Sequence, residues 1–233
     1  HLVSGSVNKV KMFYKVLTNL NAKYRFGVTA TLFEEIPKII IGDVIYEIKR
    51  EEIERINADY SVIETKLQKH ECYLKSDKTT DFTKLINYLA IDKERNELIV
   101  DNLIRNKDKH NLVLSGRNEQ LEILKEMLEN RGFKAELLIG KTKERDTILE
   151  CFKNGEFNFL LSNYSLAKVG LDLPRADTLH LVTTIKEKKG LIQAKGRVER
   201  TFKGKERAIV YDYVDKNIKS LENMWKVRRK HLK

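Results

Sequence analysis

The stretch QAKGRVER, residues 193–200, sets Gln193, Gly196, Arg197 and Arg200 close together in a chain of formal net charge +11. On a helix, positions three apart share a face, so Arg197 and Arg200 bring two guanidinium groups to bear on one target. Two permanent cations at that spacing repel unless an anion lies between them, and the planar guanidinium fork matches the oxygens of a polyphosphate. A solvated basic helix in which Glu199 neutralises its neighbours is the other reading of the same residues.

Three further stretches could receive phosphate. Ser115-Gly116-Arg117-Asn118 is a turn of small polar residues opening a helix, where unpaired N–H groups and the positive dipole end suit an anion. Ordinary N-capping by Ser115 or Asn118 explains the same residues. Gly140-Lys141-Thr142-Lys143 repeats the arrangement. In SNYSLAKVGLDLPRAD (162–177), Gly170 marks a close backbone approach, Asp172 reads as a ribose-hydroxyl acceptor, and Pro174 stiffens the exit; a simple surface turn explains the glycine and proline but not the rest.

These stretches need a scaffold, and the chain from residue 111 supplies one. LVLS (112–115), AELLI (135–139), NFLLS (158–162), TLHLVTT (178–184) and AIVYDYV (208–214) are short apolar runs separated by helical patterns at 118–131, 143–153 and 188–200. Strands alternating with helices predict a parallel sheet covered on both faces, with ligands beyond the carboxyl ends of the strands. All four candidate stretches are therefore expected on that one edge. Upstream, 6–20 predicts a helix and YRFGVTATL a short strand. Residues 38–66 predict two strands, KIIIGDVIYEIK and YSVIETKL, flanking a helix REEIERIN as a connector rather than part of the core. Residues 81–106 predict one long amphipathic helix or two in succession, and the last stretch a basic helix.

Composition narrows the classes. A hydrophobic fraction of 41% fills a packed core, no apolar run reaches the roughly 20 residues of a membrane span, and the first residues lack a secretory pattern, so the expectation is a soluble, cytoplasmic protein. Cys72 and Cys151 lack metal-ligand spacing, as does His70 with Cys72, and no metal site is expected; His180 reads as a packed core histidine. The basic surplus points to a polyanion, nucleic acid first, though exposed lysine-rich helices would also produce it. No GxxxxGK[ST] occurs, nor a carboxylate pair placed after a strand to hold magnesium.

Taken in order, these segments resemble the second half of a superfamily 2 helicase, of the DEAH-like type found in phage and DNA-repair helicases. Gly27-Val28-Thr29-Ala30-Thr31 resembles motif III, LVLSGR motif IV, Leu138-Ile139-Gly140 the segment IVa, LSNYSLAKVGLDLP motif V, and residues 193–200 the QxxGRxxR of motif VI. Asn163 stands where motif V usually has threonine and Val169 where glutamate is common, which makes a phosphate contact there an amide's. His1 is read as the last letter of a DEAH box.

The resemblance implies an α/β fold with RecA-like domains, P-loop NTPase-like in character. Residues 1–43 would be the end of the first, ATP-binding domain and 44–233 the second. ATP and Mg2+ would be held mainly by the first domain, so this chain alone is expected not to hydrolyse ATP. The resemblance makes Arg197 and Arg200 arginine fingers with Gln193 beside them, and gives nucleotide contact to Gly170, Asp172 and Gly196. Strand contact goes to Ser115, Arg117, Gly140, Lys141 and Asn163, and coupling to Thr29, Ala30 and Thr31. The implied partners are nucleic acid, DNA ahead of RNA, and the first domain of the same protein, with the protein nucleoid-associated. A stand-alone non-catalytic module, or the translocating subunit of a restriction nuclease, are the alternatives.

Overall fold

A computed structural model describes residue 15 and residues 18–27, 41–49, 52–164, 172–184 and 188–232. The chain divides into two compact units, His1–Ile53 and Glu54–Lys233. In the first unit Tyr24, Phe26, Ile45 and Tyr46 are exposed. The expected helix at 6–20 and strand at 24–32 lie largely outside the described residues.

The second unit is a six-stranded sheet of β1 (Ala58–Thr65), β2 (Asn111–Ser115), β3 (Ala135–Leu138), β4 (Phe159–Asn163), β5 (Thr178–Leu181) and β6 (Ala208–Asp215). Its order is β1-β6-β5-β2-β4-β3, and every pairing is parallel. The helices are α1 (Phe82–Ile91), α2 (Lys93–Arg105), α3 (Asn118–Asn130), α4 (Arg145–Asn154), α5 (Lys188–Val198) and α6 (Lys219–Arg229).

Alternation along each strand divides the core between two faces. Val113, Phe159, Leu161 and Tyr213 pack with Ile99 and Leu103 of α2 and Leu121, Leu124 and Leu128 of α3. Leu112, Leu114, Leu160 and Leu179 pack oppositely with Phe152 of α4 and Leu191, Ala194 and Val198 of α5. Each fully buried leucine contributes roughly 1.5–3 kcal/mol, so both faces are closed by burial, as parallel sheets require. The arrangement is the RecA-like α/β fold. Among the described residues no helix is long and apolar enough to cross a membrane.

Two sequence expectations are corrected. Residues 41–49 form no strand, and 52–57 hold no α-helix. YSVIETKL is no connector: within Ala58–Thr65 it is an edge strand of the main sheet, paired with β6 from Ala58↔Ala208 to Thr65↔Asp215. Its half-buried polar residues disguised it. The choice between one helix and two at 81–106 is settled by Asp92, whose extended backbone ends α1 and whose carboxylate accepts from Arg95 N at 2.8 Å to start α2.

Candidate functional site

The carboxyl end of the sheet is organised by neutral groups. Ser115 Oγ closes β2 by donating to Gln120 Oε1 of α3 at 2.8 Å, and lies 2.6 Å from Thr183 Oγ1, just past β5. Thr183 Oγ1 donates to the same Gln120 oxygen at 2.7 Å, and Gln120 Nε2 donates to Asn96 Oδ1 of α2 at 3.0 Å. All four side chains are buried, so they fix the turn instead of facing a ligand. Ser115, expected to touch nucleic acid, is turned inward, with its oxygen accepting from Arg117 N at 3.0 Å. What the turn offers outward is the exposed Gly116 backbone and the half-buried Arg117, whose Nε donates to Asn87 Oδ1 of α1 at 2.6 Å.

Beside it, the turn after β3 is drawn tight by Thr142, which accepts from Ile139 N at 3.0 Å and donates to Leu137 O at 3.2 Å. Gly140 and Lys141 are exposed on it, and a Cβ at Gly140 would meet nothing within 4 Å. Lys141 Nζ reaches Glu122 at 2.9 Å. Asn163 ends β4, and its Nδ2 donates to Asn118 Oδ1 at 3.2 Å. Gly116, Arg117, Gly140, Lys141 and Asn163 therefore share one edge, as expected.

The arginines do not share it. Helix α5 starts beyond the carboxyl end of β5 and runs back along the sheet, so its last turn reaches the amino end. Ile56 N, two residues before β1, donates to Glu199 O at 2.9 Å; Lys205, just before β6, donates its Nζ to Arg200 O at 2.9 Å. The expectation of a single functional edge is thus overturned: Arg197, Arg200 and Asp172 lie across the sheet from the turns at 115–117 and 140–141. Length explains why. Eleven helical residues span about 16 Å and four strand residues about 13 Å, so the helix outruns the strand it returns along.

At this amino end Arg200 Nη1 pairs with Asp172 Oδ1, and Lys153 Nζ stands 3.8 Å from the other Asp172 oxygen. Arg200 and Asp172 are about half exposed. Arg197 is only 7% exposed. Burial, then the neighbouring Arg200 charge, lower its guanidinium pKa, with Asp172 opposing. Arg200 is thus near enough to disfavour the charge on Arg197. Gly196 is exposed on α5, and a Cβ there would meet nothing within 4 Å. A glycine inside a helix costs about 0.5–1 kcal/mol relative to alanine, and nothing in this chain's own packing demands it. Gln193 is half-buried one turn earlier. Gly170, Thr29, Ala30 and Thr31 lie outside the described residues.

Other charged groups are structural. Arg228 of the basic α6 is buried, with Nη2 donating to Asp212 Oδ1 at 2.7 Å, so that helix is not simply a solvated cationic face. His180 is fully buried between Tyr213 Oη at 3.1 Å and Asn111 Oδ1 at 3.0 Å, and burial pushes its pKa down to about 3. It is a core histidine, as its sequence context implied. Among the described residues no cluster of His, Cys, Asp or Glu could hold a metal ion. Sequence reading missed Asn87, Gln120 and Thr183 at one end and Lys205 at the other; Thr183 alone carried a signal, as a hydroxyl just past an apolar run.

Comparison with known proteins agrees with this architecture. Residues 94–202 match the family described as helicase conserved C-terminal domain. A Saccharomyces cerevisiae protein named as ATP-dependent helicase IRC3 is 28% identical over 55% of this chain and 19% of its own length. A protein of Acanthamoeba polyphaga mimivirus, named as an ATP-dependent RNA helicase, is 28% identical over 87% of this chain and 40% of its own. The chain thus spans less than half the length of these relatives. In fold it is similar to S. cerevisiae Dbp5 bound to RNA and ADP BeF3, with a TM-score of 0.61, 15% identity, and coverage of 88% of this chain and 48% of that one. The parallel sheet, the family match and the order of motifs agree on one assignment for residues 94–202: they form a helicase C-terminal domain.

Proposed function

We propose that the chain is the second RecA-like lobe of a DEAH-like ATP-dependent helicase or translocase, with residues 1–43 belonging to the first lobe and 44–233 to the second. The observation that carries the reading is the charge cluster at the amino end, a desolvated Arg197 beside an exposed Arg200 held by Asp172. An exposed ion pair is worth only about 0–1 kcal/mol, so Arg200 can leave Asp172 for a phosphate oxygen at small cost. The donor set fits half a nucleotide site: two guanidinium groups and a carboxylate, with open space over Gly196 for close approach. Magnesium-bound ATP, held by the first lobe, supplies the phosphoryl group and the negative charge that grows on it. Arg197 and Arg200 stabilise that charge, an effect worth about 10³–10⁵ in rate in other NTPases. Gln193 supports Arg197 from the same helix, and Asp172 and Gly170 address the sugar.

The strand runs along the opposite edge, where Gly116, Arg117, Gly140, Lys141 and Asn163 offer donors to successive phosphates. Asn163 and Asp172 belong to one segment, which supports a mechanical link between strand grip and nucleotide state. We take the strand to be DNA, on the likeness of the motifs to repair and phage enzymes, and the protein to work in the cytoplasm. RNA is the second reading, favoured by the printed name of the mimivirus relative. The test is ATP turnover by the intact protein carrying this chain, measured without nucleic acid, with single-stranded DNA and with RNA of the same sequence. Stimulation by DNA above RNA is expected. Stimulation by RNA alone would transfer the assignment to RNA, and no turnover under any condition would reject the motor.

A further inference from the structure

Lys205 lies outside every motif in the chain, yet its ammonium is the point where two motif-bearing segments meet. Nζ donates to Ala176 O at 2.6 Å, to Arg200 O at 2.9 Å and to Pro174 O at 3.1 Å. The first and third acceptors belong to the turn that carries Asp172 into β5, and the second belongs to Arg200. Gly204, with φ +81°, takes the left-handed conformation just before Lys205, and Lys205 N donates to Phe202 O at 3.0 Å, which folds the lysine back beneath the arginine. A lysine has three ammonium hydrogens, and here there are three carbonyl acceptors.

We propose that Lys205 is a positioning residue for Arg200. Its ammonium fastens the Arg200 main chain to the Pro174–Ala176 turn, so that Arg200 and Asp172 are presented to the nucleotide as one rigid pair. This role rests on the nucleotide reading given under Proposed function. The contact is to main chain on both sides, so it fixes where the two side chains start and leaves their tips free to exchange partners.

The ammonium is also a titratable fastener. Burial pulls its pKa down to about 8, against the favourable charge of Asp177; Asp172, Arg175, Glu199 and Arg200 are the further charged residues of the tethered segments. Above that pH the neutral amine has two hydrogens for three acceptors. The sign of the stability effect is opposite. An unfolded lysine titrates near 10.5 and the folded one near 8, so the unfolded chain binds more protons between those values and this group's contribution to stability grows as pH rises through them. Turnover is therefore predicted to fall over a pH range in which the fold does not weaken on account of Lys205, which separates positioning from simple structural support.

The experiment compares wild type, Lys205→Met, Lys205→Arg and Arg200→Ala in the intact protein, reading kcat and KM for ATP with saturating nucleic acid from pH 7 to about 9.5. Expected are a wild-type alkaline limb in kcat near pH 8 and a loss of about 10- to 100-fold in kcat for Lys205→Met, with KM changed less than about threefold. Lys205→Arg should recover part of the rate and lack the limb, because a guanidinium does not titrate there. An Arg200→Ala loss accompanied by normal kcat in Lys205→Met would overturn the positioning role and leave the arginine reading intact. Persistence of the limb in Lys205→Arg would overturn it too, even if Lys205→Met does not fold. Normal turnover in Arg200→Ala would instead remove the arginine reading, and the role of Lys205 with it.

Discussion

At the carboxyl end of the sheet Ser115, Thr183, Gln120 and Asn96 are buried and satisfy one another with neutral hydrogen bonds, whereas at the amino end Arg200, Asp172 and Lys153 stand about half in solvent as charges. A closed neutral network has no partner to give up, so it holds the turns after β2 and β5 in one shape whatever is bound. An exposed pair of ions is weakly held and can trade its partner for a stronger anion. One end suits a track that must not change, and the other a contact that must form and break. Helix α5 is one of the covalent connections between the two.

Substitutions at the two ends should therefore fail differently. The largest effect belongs to Arg200→Ala: a fall of about 10³-fold or more in kcat for ATP, the loss expected if its proposed contribution is to the transition state. Comparable turnover in that variant would place the guanidinium outside the chemistry. Next comes Ser115→Ala, which should lower unfolding free energy by about 1–3 kcal/mol by leaving Gln120 and Thr183 short of a partner. Urea denaturation of this chain measures it, and a midpoint unchanged from wild type would show that the network does not brace the turn. For Arg117→Ala, single-strand affinity should drop and its salt dependence flatten by about 0.7 in log–log slope, one phosphate contact's worth. An affinity loss with an unaltered slope would assign Arg117 to bases instead. The smallest effect is Gly196→Ala: a gain of about 0.5–1 kcal/mol in stability from helix propensity, because a Cβ there meets open space. A stability loss would reveal a packing partner, whereas a gain coupled to lower turnover would locate the nucleotide's approach.

Much of this organisation was legible in the residues. The five apolar runs from 112 to 214 each overlap a strand, their separating patterns overlap helices, and Arg197, Arg200 and Asp172 do come together. What misled was the rule that ligands gather beyond the carboxyl ends of strands, applied to residues at the far end of a helix. The strand β5 is only four residues long where the apolar run 178–184 has seven, and that shortness, which the run does not show, carries Arg200 beyond the start of the sheet. The edge strand β1 was legible as a strand in YSVIETKL but not as part of the main sheet, because its sequence ADYSVIET is half polar and only partly buried, whereas a fully buried strand announces itself by an apolar run. Lys205 and Gln120 were illegible for another reason: their roles depend on carbonyls and hydroxyls brought together from distant segments, which no local pattern encodes.

The division of labour between the two ends is tested most directly by the affinity of nucleotide-free Arg200→Ala for a single strand, measured across salt concentrations. The account predicts the wild-type affinity and the wild-type salt slope, because the proposed strand path follows the edge that carries Arg117 and Lys141. A loss of about tenfold with a flattened slope would mean that the arginine grips the strand itself, and the separation of the two ends would be wrong.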